Sequence, residues 1–367
     1  MRLDKHQQAF FALVKAGLWE QDVRLSPLED VDFHAVYTLA EEQSVQGLVL
    51  QGIDSFRFQV SGFKIPQVLL LQWIGEVQMI EQQNLVMNDF VAKLIENLRK
   101  DDVNAIMVKG QGVAQCYERP LWRASGDVDL LLNAEDYERA KALLSPIAVS
   151  VNQEYSTFKH LGMMMSNGIE VELHGTLHTR LSRRIDGYLD TIQEDAFKNK
   201  QVRIWNNSDV EIPLPAPDDD IVFLFTHILH HFYIGGVGLR QVCDWCRLLW
   251  TYRDKLNVDL LEKRLKEMRL MSEWKAFASV AVDWLGLPMY AMPLYDSQFK
   301  GKGNRIIEFI LESGNFGHNR KVGGGKISSA LNKMKGFAGH GRMFPWDSVK
   351  FFPHFLGDGI KLASEQR

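Results

Sequence analysis

The sequence has few cysteines, no long apolar run and little excess charge, and each shortage excludes a class of protein. Three cysteines among 367 residues cannot form the disulfide framework of a small secreted domain, which favours a reducing compartment. The most apolar windows, residues 68–80 and 221–239, are interrupted by Glu76 and by His227, so neither supplies the about 20 apolar residues of a membrane span. Residues 1–30 contain no apolar run of the signal-peptide type. We therefore expect a cytoplasmic protein.

The net charge of the whole chain is only −4. Proteins that bind duplex nucleic acid usually carry a basic surface, so nucleic acid is not an expected partner. The charge is nevertheless uneven, because residues 299–367 hold 12 Lys and Arg against 5 Asp and Glu, a net charge of +7 that leaves −11 on the residues before them. This basic C-terminal extension, which includes the aromatic stretch 344–355, predicts either peripheral contact with a membrane or a partner protein, or ordinary solvated helix faces.

The composition, with 46% hydrophobic and 24% charged residues, is typical of a folded globular chain. Apolar residues at helical spacing predict a helical N-terminal unit over residues 1–100. Short apolar runs bounded by Gly and Asn predict a sheet with packed helices over residues 101–212. The proline string 213–217 predicts a linker that opens a second helical unit over residues 213–298. The acidic triplet 218–220 at the start of that unit is interpreted as helix capping rather than as a metal site.

The segment most informative about chemistry is a predicted strand in which two acids alternate with aliphatic residues. Asp127 and Asp129 alternate with Val128 and Leu130, so both carboxylates project from one face while the aliphatic side chains enter the core. Same-face neighbours on a strand lie about 6 to 7 Å apart. Both carboxylates can therefore reach a hard cation such as Mg²⁺, which prefers oxygen ligands and would relieve their mutual repulsion.

The residues around this strand strengthen the prediction. Ser125 and Gly126 supply a small, permissive backbone directly before the acids, and Lys109 and Gly110 end an earlier strand, where backbone amides and a cation can meet a phosphate. A third predicted strand, residues 169–174, carries Glu170, Glu172 and His174 on one face. Three strands are thus expected to converge on one acidic site.

The order of these motifs resembles a family of nucleotidyltransferases. Lys109-Gly110, the segment from Arg123 to Leu131 and the strand end from Val171 to His174 are similar to the nucleotidyltransferase family of the DNA polymerase beta-like superfamily that is found in many bacteria. The resemblance covers most of residues 30–320 and includes Leu39-Ala40, Gly47-Leu48, the helix containing His227, Leu239 to Asp244, and Gly314 to Gly317.

The resemblance implies an α+β fold, in which a small mixed nucleotidyltransferase sheet is flanked by N-terminal and C-terminal helical units. It also implies that Asp127 and Asp129 bridge two Mg²⁺ ions, for which Mn²⁺ can substitute, and that Glu172 completes the site. Two such ions can clamp the attacking and leaving oxygens of an in-line displacement at phosphorus. The predicted nucleotide-binding residues are Lys109, Gly110, Arg123, Ser125, Gly126 and Arg240, and the predicted supporting residues are His174 and His227.

Several alternatives stay open at this point. Glu170 is oriented like Glu172 and competes with it as the third carboxylate. Arg240 either pairs with Asp244 one helical turn later or faces the nucleotide. His227 faces the cleft or lies satisfied in the core. A zinc site is a further alternative, formed by the three histidines and two cysteines His227, His230, His231, Cys243 and Cys246.

The sequence therefore predicts the transfer of a nucleoside monophosphate from an NTP to the hydroxyl of a sugar, small molecule or protein. The competing hypothesis is a non-catalytic protein that keeps the fold and assists the assembly of surface-polysaccharide machinery. The catalytic hypothesis requires that Asp127, Asp129 and Glu172 meet, and that none of them is buried against a permanent arginine or lysine.

Overall fold

The computed structural model describes residues 3–19, 31–57, 65–154, 159–234 and 236–314. Helices and a small mixed sheet make up this part of the chain, so the predicted α+β fold class is confirmed. Most of the basic C-terminal extension lies outside the described residues, as does most of the segment from Gly314 to Gly317.

Among the described residues, four α-helices precede the sheet. They are α1 (Lys5–Trp19), α2 (Phe33–Glu42), α3 (Gln46–Arg57) and α4 (Gln67–Lys100). Helices α1 and α3 approach closely at two glycines, since a Cβ atom on Gly17 would lie 2.0 Å from the Leu48 carbonyl oxygen and one on Gly52 would lie 2.2 Å from that of Leu13. Any larger residue would force the two helices apart.

The sheet contains five strands with α5 (Gly110–Ala114), α6 (Ala134–Leu144) and α7 (Arg183–Lys198) around it. Its strands are β1 (Ala105–Val108), β2 (Asp127–Leu132), β3 (Ser150–Val151), β4 (His160–Met164) and β5 (Glu170–His174), in the spatial order β1-β2-β5-β4-β3. Only β2 and β5 are parallel, and the other neighbours are antiparallel. The pairing of β2 with the central strand β5 brings two acid-bearing strands into contact.

The proline string is not the linker that the sequence predicts. Pro213 and Pro215 lie in the second strand of an antiparallel hairpin, β6 (Val202–Asn207) and β7 (Val210–Pro215), and Pro217 begins the helix that follows. Val210, Ile212 and Leu214 alternate along β7 and are buried, which is the period of a half-buried strand. Proline lacks an N–H donor and is tolerated in an edge strand, so a two-stranded hairpin accommodates Pro213 and Pro215.

In the part of the chain that the structure describes, five α-helices follow the hairpin. They are α8 (Pro217–Ile234), α9 (Leu239–Tyr252), α10 (Val258–Met268), α11 (Met271–Ser279) and α12 (Lys300–Ser313). The acidic triplet lies in the first turn of α8, where two of its members form ion pairs instead of the helix cap that the sequence predicts. Asp219 pairs with Arg264 at 2.7 Å and Asp220 pairs with Arg203 at 2.6 Å.

Two hydrophobic cores organise the molecule. One joins α1–α3 to the helices that follow the hairpin, and the other lies between the sheet, the second half of α4 and the hairpin. Within the first core, Gln43 links the residues after α2 to residues more than 190 positions later in the chain. Its side chain donates to the Ile310 carbonyl oxygen and accepts from the Leu239 amide. The domain boundaries given above stay predictions. No helix in the described ranges is long and apolar enough to cross a membrane.

Candidate active site

Two parallel strands bring three carboxylates to one face of the sheet. Asp127 and Asp129 lie two residues apart on β2, and Glu172 lies opposite Asp129 on β5. Val128 between the two aspartates is fully buried, as strand alternation requires. One carboxylate oxygen from each acid lies within 4.8 Å of the others. The structure therefore brings together the three residues predicted to bind metal.

This group has the donors that a hard divalent cation prefers. The charge of Asp129, and then burial, raises the pKa of Asp127 above its usual value, so the pair of aspartates is electrostatically strained. A divalent ion between them would relieve that strain. Glu170, the rival third carboxylate, lies opposite Asp127 in the register but is outside the group of three and accepts a hydrogen bond from Asn152.

Lys109 ends β1 and turns the chain into α5. Its φ is 55° and that of Gly110 is 38°, a left-handed conformation that favours glycine. The turn directs the lysine side chain over β2, where Nζ lies 2.6 Å from Asp129 Oδ1. Burial alone would lower the pKa of Lys109, but the three carboxylates raise it and keep the ammonium charged. The buried Asp129 thus has a half-buried lysine partner, which is the arrangement that the catalytic hypothesis had to avoid.

Two histidines lie next to Glu172 in the sheet. His174 follows it on the same face of β5, and His160 lies opposite His174 on β4. His174 Nε2 is 2.7 Å from Asp129 Oδ1, and His160 Nε2 is 3.1 Å from Glu172 Oε2. Burial alone would raise the pKa of Glu172, but its hydrogen bonds with both histidines hold it below its usual range. His174 therefore lies where a supporting residue was predicted.

Arg123 is buried between β2 and α9. Its Nε and Nη2 donate to the two carboxylate oxygens of Asp244 at 2.8 and 2.7 Å, and the Tyr117 hydroxyl donates to the same carboxylate at 2.7 Å. The remaining Nη1 donates to Ser125 Oγ at 2.7 Å. Here Arg123 fixes the segment that leads into β2, and the phosphate contact predicted for it stays a prediction.

A cavity of about 390 Å³ opens beside the aspartates. All of the predicted nucleotide-binding residues line it, namely Lys109, Gly110, Arg123, Ser125, Gly126 and Arg240. Arg240 donates from Nη1 to the Ala124 carbonyl oxygen at 2.8 Å, and burial together with the nearby Arg123 charge lowers its pKa. Three cationic side chains and the four carboxylates of Asp127, Asp129, Glu170 and Asp244 line this cavity, so an anionic ligand would require bound cations that offset the acids.

A second cavity, of about 600 Å³, opens on the other side of the acids and shares Lys109, Asp127 and His227 with the first. Six histidines line it: His160, His174, His178, His227, His230 and His231. Burial lowers the pKa of His230 to about 4 and that of His231 to about 3, so both imidazoles are neutral at neutral pH. Neutral imidazoles can donate and accept hydrogen bonds, as a hydroxyl-bearing ligand requires.

The cysteine-containing zinc alternative is not formed by the described residues. The groups of three suitable ligands found there are Asp127 with Asp129 and Glu172, and His160 with Glu172 and His174. Cys243 and Cys246 instead lie fully buried in α9 as free thiols, and burial raises the pKa of each. His227 faces both cavities, which agrees with the cleft alternative.

The sequence did not identify three groups of site residues. His160 begins β4, and its position beside His174 depends on the pairing of β4 with β5, which the local sequence does not show. Asp244 contacts Arg123 from α9, far along the chain, and the Tyr117 hydroxyl donates to Asp244, an arrangement that no local pattern reveals. Asn84 on α4 donates to the Arg123 carbonyl oxygen at 2.8 Å and accepts from Gln111 at 2.8 Å. It thereby ties α4 to both segments that flank the first cavity.

Comparison with known proteins identifies a family for this chain. Residues 29–286 match the family described as "Uncharacterised nucleotidyltransferase". Among solved structures, the chain is similar to an antigenic nucleotidyltransferase-like protein from Paracoccidioides brasiliensis, with 13% identity, a TM-score of 0.33, and coverage of 54% of this chain and 92% of that one. No curated protein matches the chain.

Proposed function

Because the chain belongs to this family of uncharacterised nucleotidyltransferases, we propose that it transfers a nucleoside monophosphate from an NTP to a hydroxyl acceptor and releases pyrophosphate, in a reaction that depends on Mg²⁺. The observation that carries the proposal is the convergence of Asp127, Asp129 and Glu172 on one face of two parallel strands. The three buried free cysteines fit a cytoplasmic location.

The first cavity is the proposed NTP site. Asp127 and Asp129 would hold the divalent ions, which supply charge neutralisation at the phosphates when bound. Arg240 would contact phosphate oxygens from α9, and Arg123 would keep Ser125 and Gly126 in place below them. Gly126 has no atom within 4 Å of where a Cβ would stand, so this stretch of backbone leaves open space beside the first aspartate.

The second cavity is the proposed acceptor site. Asp127 and Glu172 line this cavity, so an acceptor hydroxyl bound beside them would lie on the opposite side of the carboxylates from the triphosphate. In-line displacement requires that separation between the attacking and leaving oxygens. Glu172 and His174 would orient the hydroxyl, and the neutral histidines would bind the rest of an acceptor such as a sugar, a small molecule or a protein side chain.

Lys109 has a double role in this proposal. It neutralises Asp129 until divalent ions arrive, and it then moves to the triphosphate, since its long side chain can reorient while Asp129 is fixed in β2. Asp129 would therefore have a cation beside it in both states, the ammonium before the divalent ions bind and a divalent ion afterwards.

The competing function is a non-catalytic assembly protein of surface-polysaccharide machinery. Two observations favour it, because Asp129 is buried against Lys109 and Arg123 is committed to Asp244. In that case the ion pairs would be permanent structural contacts, and the acids would never bind a divalent ion.

The test uses the purified full chain with each of the four common NTPs labelled at the α-phosphate, with Mg²⁺ or Mn²⁺, and with cell extract as a source of acceptors. The proposal expects label to move to an acceptor with pyrophosphate release, and it expects Asp127→Asn and Asp129→Asn to abolish both. Label transfer that persists in both variants, or no NTP binding under any condition, would overturn it. Glu96→Gln, an exposed change on α4, serves as the matched control.

A further inference from the structure

The second group of three metal-type ligands differs in chemistry from the carboxylate site. His160 and His174 lie directly opposite each other on antiparallel strands, and their rings stack with centroids 4.7 Å apart and planes 23° apart. His160 Nε2 lies 3.1 Å from Glu172 Oε2, and His174 Nε2 lies 3.5 Å from the same oxygen and 2.7 Å from Asp129 Oδ1. The three ligand atoms lie within 4.8 Å of one another.

We propose that His160, Glu172 and His174 form a binding site for a transition-metal ion of the zinc class, distinct in selectivity from the carboxylate site with which it shares Glu172. Two imidazoles and one carboxylate are a donor set that favours Zn²⁺ and related ions, whereas oxygen donors alone favour Mg²⁺ and Mn²⁺. A carboxylate has two oxygens, so Glu172 can contact an ion on each side. Metal binding here does not depend on the proposed nucleotide transfer.

The surroundings allow an ion to enter and bind. The side chain of His160 is 40% exposed, and all three ligands line the second cavity, so the site is open to water. An ion bound to His174 would replace the Nε2 proton that now lies between this ring and Asp129, and that proton would leave to solvent. Asp129 would keep its ion pair with Lys109.

Three protein ligands leave a coordination position open, as in metal sites that bind water or substrate. The open position would face the histidine-lined cavity, where the remaining imidazoles of His227, His230 and His231 are too far from the group of three to be counted in it. A ligand hydroxyl or water in that cavity would therefore be the fourth partner of the ion. The two sides of Glu172 would therefore differ in metal preference. Mg²⁺ or Mn²⁺ would bind on the side of the first cavity, and the imidazole-bound ion would bind on the side of the second cavity.

The test uses Co²⁺ as a spectroscopic probe of the full chain, at neutral pH, in excess Mg²⁺ and with no nucleotide present. The excess Mg²⁺ occupies oxygen-only sites, so Co²⁺ should bind at the histidines. Co²⁺ of low coordination number at that site should give a visible absorption band, and added Zn²⁺ should abolish the band by displacing the Co²⁺. His160→Asn should remove the band and weaken Zn²⁺ binding at least about tenfold. The exposed location of His160 makes this variant the least disruptive to the fold, which its melting temperature without metal will verify.

Two further variants make the result decisive. Asp127→Asn lies outside the proposed ligand set and should keep the band, and His34→Asn, an exposed change on α2, should behave as the parent. The absence of a displaceable band, or a band that survives His160→Asn but not Asp127→Asn, would overturn the proposal. A band with no nucleotide transfer would support this site and count against the proposed function alone, so the two failures are distinguishable.

Discussion

Lys109 Nζ lies 2.6 Å from Asp129 Oδ1, and the carboxylate is only 2% exposed. The lysine ends β1 while the aspartate is in the middle of β2, so the contact links the two strands directly above the acidic group. A buried carboxylate of this kind requires a cation beside it. The question for function is whether that cation is always Lys109 or is exchanged for a divalent ion.

Substitution of Lys109 by Met should separate these roles. Without divalent ions, Lys109→Met should lower the free energy of unfolding by about 3 kcal/mol, because the buried Asp129 loses its partner. With Mg²⁺, the variant should gain more in melting temperature than the parent does, since the ion no longer competes with the ammonium. Lys93→Met, which breaks an exposed pair with Asp89, should leave both quantities nearly unchanged. An equal Mg²⁺ effect in parent and variant would mean that Lys109 and the ion do not share a site.

Glu172 and Glu170 should differ in their response to metal. Glu172→Gln removes a member of the group of three, so we expect stabilisation by Mn²⁺ to be lost in a thermal-shift titration. Glu170→Gln changes a residue that is hydrogen-bonded to Asn152 and should keep the stabilisation. The reverse result would make Glu170 the third carboxylate.

The buried pair of Arg123 and Asp244 should contribute strongly to stability. Asp244→Asn leaves the Arg123 guanidinium without its bidentate partner, and we expect the free energy of unfolding in urea to fall by about 3 kcal/mol. The matched control is Asp54→Asn, which breaks the half-exposed pair with Arg119 and should cost no more than about 1 kcal/mol. Similar losses in the two variants would show that burial does not distinguish the pairs.

The stability of the fold should fall in mild acid because of His230. Burial lowers its pKa from 6.5 to about 4, and its Nδ1 lies 2.6 Å from the Thr179 carbonyl oxygen. Between these pH values the unfolded chain binds a proton at this residue and the folded chain does not, so the free energy of unfolding decreases as pH falls through this range.

The His230→Gln variant should remove this contribution, which is at most about 3 kcal/mol. Urea unfolding at pH values from neutral to mildly acidic should therefore give a shallower pH dependence than in the parent. His34→Gln, an exposed change, is the control. If the free energy of unfolding of His230→Gln fell with pH as steeply as that of the parent, the effect could not be assigned to His230.

Local patterns in the sequence predicted the parts of the site that lie within single elements. The alternation of Asp127 and Asp129 with aliphatic residues placed both acids on one face, and the same period placed Glu172 beside His174. The sequence also indicated that Lys109-Gly110 ends a strand, and the left-handed φ of both residues explains why the chain turns there. These features depend on strand period and turn chemistry, which are local properties.

The remaining features depend on which elements become neighbours. The parallel contact of β2 with β5 sets Glu172 opposite Asp129, and the antiparallel contact of β4 with β5 sets His160 opposite His174. The partner of Arg123 comes from α9, more than a hundred residues later in the chain. The prolines of β7 were misleading because their effect on strand pairing depends on whether the strand lies at an edge.

The most direct test of the central claim is a crystal structure of the full chain with Mn²⁺ and a non-hydrolysable NTP analogue, with data collected for the anomalous signal of manganese. We predict an anomalous peak between the carboxylates of Asp127 and Asp129, with Lys109 Nζ moved from Asp129 to a phosphate oxygen. An NTP analogue bound elsewhere, or an absent peak at the aspartates with Lys109 still paired to Asp129, would contradict the account.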